Sequence, residues 1–132
     1  WICAIEASKL MVNGGHIVNI TSPGSKYVLP DYFSVGTSKA ALDAVTRYLA
    51  VELAPKNISV NAISGGYVDT EALNHFPDRE SLLKAGKRTL NGRMVNGEDI
   101  ARVAAFLCTN DASMIRGQVI SVDGGALLKT GS

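Results

Sequence analysis

The chain has 132 residues, 46% of them hydrophobic, which suits one domain of modest size with a core of its own. Thirteen basic residues against twelve acidic ones leave a net charge of +1, which gives no electrostatic case for nucleic acid or an anionic membrane surface. No apolar run reaches the roughly 18 residues of a membrane span. Residues 1–12 are apolar but carry Glu6 and Lys9 and no basic lead, so they do not read as a signal peptide. Cys3 and Cys108 show no metal-ligand spacing. They read as two reduced thiols in or near a core, in a reducing cytoplasm, and no metal site is expected.

In chain order, residues 1–12 look like the second half of an amphipathic helix, with Ile2, Ile5, Leu10 and Met11 at near-helical spacing. Asn13-Gly14-Gly15 stops it. Residues 16–21 form a short β-branched strand whose near-continuous apolar content suits a parallel sheet covered on both faces. A loop over 22–30 follows. Asp31 is a candidate cap for a long helix running to about Leu53, with Ala40, Ala41, Leu42, Val45, Leu49 and Leu53 on one apolar face. A second strand is expected over 58–63, then Ser64-Gly65-Gly66. Residues 71–93 are polar and irregular, with short helical stretches near 71–75 and 78–87; a connection this long reads as a lid. Gly97-Glu98-Asp99 starts a helix over 100–109 with Ile100, Val103, Ala104 and Leu107 inward. A third strand covers 118–122, Asp123-Gly124-Gly125 turns out of it, and 126–132 is a tail. Strands alternating with helices predict right-handed crossovers and a parallel α/β sheet of three strands.

Several pieces, in this order and spacing, resemble the short-chain dehydrogenase/reductase family: G-H-I-V-N-I-T-S (15–22), S-K-A-A-L (38–42), V-N-A-I-S-G-G-Y-V-D-T (60–70), G-R-M (92–94) and G-Q-V-I-S-V-D-G-G (117–125). The resemblance implies a doubly wound, Rossmann-like fold of about seven parallel strands, of which residues 1–132 match the C-terminal, catalytic half. The glycine-rich dinucleotide fingerprint of that family is not among these residues, so the implied protein is roughly twice as long. On this reading the present chain by itself binds cofactor weakly and is inactive.

Most family members carry Y-x-x-x-K, which would place tyrosine at position 35. Here that residue is Val35, and the tyrosine is Tyr32, seven residues before Lys39. This spacing is similar to that of the enoyl-acyl-carrier-protein reductases, and the runs 37–56 and 64–80 look like the type III, NADPH-dependent bacterial form. The resemblance implies reduction of trans-2-enoyl groups on acyl-carrier protein in fatty-acid synthesis, in the cytoplasm, by a tetramer paired through the long helix.

The chemistry gives the spacing a reason. In carbonyl reduction, hydride lands on the carbon bearing the oxygen. In enoyl reduction it lands on the β-carbon, and charge develops on a thioester oxygen further away. On a helix, moving tyrosine from 35 to 32 keeps the face and shifts the hydroxyl by about 4.5 Å. The resemblance makes Tyr32 the donor to that oxygen and Lys39 the holder of the nicotinamide ribose, its charge favouring tyrosinate. It makes Ser22, 17 residues before the lysine, a third catalytic candidate. Gly65, Gly66, Val68 and Thr70 match the family's cofactor segment, with Gly65 where proline is usual. Tyr27, Leu73 and Phe76 are candidates for the acyl side. NADPH is the expected cofactor, on resemblance, and NADH is open. A carbonyl reductase of the same family and an inactive protein acting only by association are the two alternatives.

Overall fold

The structure is a computed structural model that describes residues 1–68, 70, 71, 73 and 78–128. Three parallel strands form one sheet in the order β1-β2-β3: β1 is Gly15–Thr21, β2 Ile58–Gly65 and β3 Val119–Val122. Their register runs from Gly15↔Ile58 to Thr21↔Ser64 and from Ala62↔Val119 to Gly65↔Val122. All three carboxyl ends therefore lie along one edge. The described helices are α1 (Ile2–Leu10), α2 (Phe33–Glu52), α3 (Arg79–Gly86) and α4 (Gly97–Leu107).

Strand alternation sorts the core into two layers. Ile17, Ile58 and Val60 pack with Ala4 of α1 and with Val45, Leu49, Ala50 and Leu53 of the α2 segment. Val18, Ile63 and Ile120 pack on the other face with Ile100, Val103, Ala104 and Leu107 of α4 and with Ala112. The middle strand is the hub, with Ile58, Val60, Ala62 and Ile63 all at 0% exposure. Burying each of its larger side chains contributes about 1.5–3 kcal/mol. Asn61, also buried, carries a polar link: its Nδ2 donates to the Ile115 carbonyl at 2.7 Å, and its Oδ1 accepts from the Gln118 amide at 3.0 Å. That bracket fixes where β3 enters the sheet.

Three expectations are corrected. Asp31 does not cap α2; it has a φ of 54°, and Tyr32 occupies the N-cap position just before the first helical residue, Phe33. The inner stripe of α2 differs from the apolar one expected. Ala40 and Ala41 are exposed, while Asp43 and Thr46 are buried beside Leu49 and Ala50. Alanine is too small to dictate a face, and Thr46 satisfies its hydroxyl internally by donating to the Leu42 carbonyl and accepting from Asn19 Nδ2. Both cysteines are exposed rather than in the core. The buried stripe of α1 is Ala4 and Ser8, which leaves Cys3 outside it, and Cys108 sits past the last residue of α4. Of the helical stretches expected in 71–93, the second exists as α3, and the first falls partly outside the described residues, as do His75 and Phe76.

Candidate active site

At the carboxyl end of β1 the chain leaves Thr21 and turns at Ser22. The Ser22 Oγ accepts from the Gly24 amide at 3.1 Å and so caps the single turn Pro23–Ser25. This turn lies against the start of α2. A Cβ on Gly24 would sit 2.5 Å from Cδ1 and Cε1 of Tyr32, and one on Gly36 would sit 2.9 Å from the Gly24 carbonyl oxygen. Only glycines at both positions allow the turn and the helix to approach this closely, and the half-buried Tyr32 ring lies against Gly24 as a result. Two turns further along α2, Lys39 Nζ donates to the Ile20 carbonyl at 2.9 Å, and Thr21 Oγ1 donates to the Lys39 carbonyl at 3.4 Å. Ser22, Tyr32 and Lys39 are thus gathered around one strand end, with Tyr32 at the helix entrance rather than on a full helical turn as expected. Tyr27 is about half exposed in the loop beyond, its amide bonded to the Pro23 carbonyl.

The neighbouring strand end carries Gly65 and Gly66, placed beside Ser22 by the Thr21↔Ser64 register. A Cβ on Gly66 would lie 2.9 Å from the Asp123 Cα, so the turn after β3 requires glycine there. Gly66 donates its amide to the Val122 carbonyl at 3.1 Å. Val68 bridges to Val95, Thr70 is exposed and accepts the Leu73 amide at 3.0 Å, and Leu73 is buried. Phe76 lies outside the described residues.

The segment ahead of α4 is tied down by charge. Arg93 grips Asp99 with two bonds, at 2.6 and 2.7 Å, and donates to the Met94 carbonyl at 2.9 Å. The Arg93 hydrogen bonds, then the Asn96 amide, hold the Asp99 carboxyl well below the usual carboxylate range. The same Asp99 closes a capping box with Asn96 at the start of α4.

With this geometry in place, comparison with known proteins is decisive for family. The sequence profile described as "Enoyl-(Acyl carrier protein) reductase" matches residues 1–126. The chain belongs to the enoyl-(acyl carrier protein) reductase family. A 1-cyclohexenylcarbonyl-CoA reductase of Streptomyces collinus is 39% identical over 92% of this chain and 45% of that protein. An enoyl-[acyl-carrier-protein] reductase [NADH], FabI, of Rickettsia felis is 39% identical over 91% and 46%. Among solved structures, the Bacillus cereus enoyl-acyl carrier protein reductase with NADP+ and an indole naphthyridinone superposes with a TM-score of 0.90 at 35% identity, over 96% of this chain and 50% of that one. The chain spans about half the length of the relatives it matches. The fold expected from sequence, a parallel Rossmann-type sheet of this family, is the fold observed.

For a member of this family, the donors at the strand ends fit a nicotinamide nucleoside. Lys39 has two N–H bonds left for a ribose diol after the one given to Ile20, and Gly65 and Gly66 put no side chain over the β2 end. Among the described residues no group of histidines, cysteines and carboxylates is placed to hold a metal ion. Sequence reasoning missed Gly24 and Gly36, which set the position of Tyr32. The Ser-Pro-Gly triplet was a turn signal that could have pointed to Gly24. It also missed the buried Asp43, whose Oδ1 has no hydrogen-bond partner, and Ser25, whose Oγ is likewise unpaired.

Proposed function

We propose that this chain carries the catalytic half of a reductase that uses a nicotinamide cofactor, NADPH by preference, to saturate trans-2-enoyl thioesters carried on acyl-carrier protein. The observation that carries the reading is the placement of Tyr32. It stands at the entrance of α2, seven residues before Lys39, with Val35 at the position a carbonyl-reducing relative would fill with tyrosine. Support for an enoyl thioester comes from the relatives, one named for a cyclohexenyl thioester of coenzyme A and others for enoyl groups on acyl-carrier protein.

When bound, the nicotinamide would supply a hydride to the β-carbon. The double-bond electrons then move toward the thioester, and negative charge collects on its oxygen. The Tyr32 hydroxyl donates to that oxygen, and the α-carbon finally takes a proton from solvent. Lys39 holds the ribose hydroxyls. Ser22, whose Oγ already accepts from Gly24, keeps its own O–H to donate toward the substrate oxygen. The backbone at Gly65, Gly66 and Val68, with the Thr70 hydroxyl, lines the nicotinamide side. Tyr27, Leu73 and Phe76 remain the residues proposed for the acyl side.

A donor to a developing oxyanion is worth about 2.7–4 kcal/mol. Tyr32→Phe, made in the full-length protein, is therefore expected to lower kcat on crotonyl thioester by about 10²–10³-fold while cofactor affinity changes little. Undiminished turnover of the variant would sink the assignment. Parallel assays with crotonyl and acetoacetyl thioesters, each with NADPH and NADH, separate enoyl from carbonyl reduction and decide the cofactor. The exposed side of α2 presents Phe33, Ala40, Ala41, Tyr48 and Val51, which supports pairing of copies through this helix; the assembly proposed is a tetramer in the cytoplasm.

A further inference from the structure

The amino ends of the three strands meet on the edge of the sheet opposite the catalytic one, and between them lies a cavity of about 320 Å³. Its wall draws on every strand entry: Asn13 and His16 at β1, Asn57 at β2, Arg116 ahead of β3, and Asn110 and Ser113 from the turn after α4. No aspartate or glutamate lines it. Two of its side chains are held for use. His16 Nδ1 pairs with Ser59 Oγ at 2.8 Å, which orients the ring and leaves Nε2 over. Arg116 Nε donates to the Ser113 carbonyl at 3.1 Å, and among the described residues no carboxylate pairs with its guanidinium.

We propose that this cavity is a second ligand site, and that it takes the phosphate group of a small phosphorylated molecule. A guanidinium with no opposing carboxylate favours an anion. A planar carboxylate is served by one two-pronged donor. Here polar residues from three strand entries and a turn line one wall, which suits an anion with several oxygens in different directions. The volume stands at the lower end of the roughly 300–1,000 Å³ of small-molecule sites. It holds more than a bare ion and less than a dinucleotide. The site shares no residue with the region around Tyr32 and Lys39 of the α2 segment, so the inference does not rest on the proposed hydride transfer.

Calorimetric titration of the protein with inorganic phosphate, with glycerol 3-phosphate and with sodium chloride at matched ionic strength tests this. Saturable one-site binding of both phosphate ligands, with none for chloride, is expected. Tighter binding of the ester identifies a phosphomonoester as the occupant, and equal binding identifies free phosphate; either supports the site. Arg116→Gln removes a charge-assisted donor and is expected to weaken phosphate binding by about tenfold or more. Asn110→Asp, a near-isosteric change at an exposed position, sets a carboxylate in the wall and should do the same even if the arginine variant folds poorly. Absence of saturable phosphate binding, or unchanged affinity in Asn110→Asp, overturns the proposal.

Discussion

Gly24 and Tyr32 constrain one another through a single contact. The Tyr32 ring occupies the space into which a Gly24 side chain would project, and the Gly24 carbonyl in turn presses on Gly36. A Gly24→Ala change therefore cannot be absorbed without moving the ring or the turn capped by Ser22. Misplacing a reacting group by about 1 Å can cost on the order of 10²-fold in rate. On the proposed function, Gly24→Ala in the full-length protein is expected to lower kcat by about that factor with the protein still folded, as steady-state kinetics beside circular dichroism would check. A turnover equal to wild type would mean that the Tyr32 position is not critical. The spacing of Tyr32 and Lys39 was legible in the sequence, because it needs only counting. The ring's neighbours were not, because Gly24 and Gly36 are twelve residues apart and meet only once the turn folds back on the helix.

Among the elements, α4 has the fullest local specification. Asn96 accepts the Asp99 amide at 3.0 Å, Asp99 accepts the Asn96 amide at 2.9 Å, and Arg93 grips the same carboxylate. Asn96→Ala should cost about 1–2 kcal/mol, measured by urea unfolding. The acid limb of stability follows from Asp99. Its folded-state pKa is depressed, so its contribution is fully present above the ordinary carboxylate value of about 4 and is lost as pH falls below it toward the folded value. Melting temperatures of wild type and Asp99→Asn should therefore differ most at pH 7 and converge below about pH 4. A constant gap across that range would contradict the linkage. The sequence announced this helix well, since Gly97-Glu98-Asp99 is acidic at its start and Ile100, Val103, Ala104 and Leu107 share a face, as found. It announced α2 less well. There the buried Asp43 and Thr46 interrupt an apolar pattern that alanines had seemed to complete.

For the whole molecule, the sheet order among the described residues leaves β1 hydrogen-bonded to one neighbouring strand, β2. Its outer edge carries open backbone groups, and Ile20 is half exposed on its face. An apolar open edge is a template for strand pairing, and charge on such an edge blocks it. The 132-residue chain is expected to self-associate in sedimentation experiments, and Ile20→Lys to reduce that association. Equal association of the two chains would place the contact elsewhere, with the exposed side of α2 next to be tested.

Length, alternation and spacing by themselves determined the parallel α/β class, the three strands, the family resemblance and the seven-residue step from Tyr32 to Lys39. These depend on periodicity and local chemistry, which a chain carries in its order. Tertiary structure alone decided that Tyr32 stands at the helix entrance against Gly24, that both cysteines face outward and that Asn61 brackets the entry to β3. It also brought Arg116 and His16 to one cavity. These are meetings of residues distant in sequence, and their outcome is set by which faces pack and how closely backbones approach.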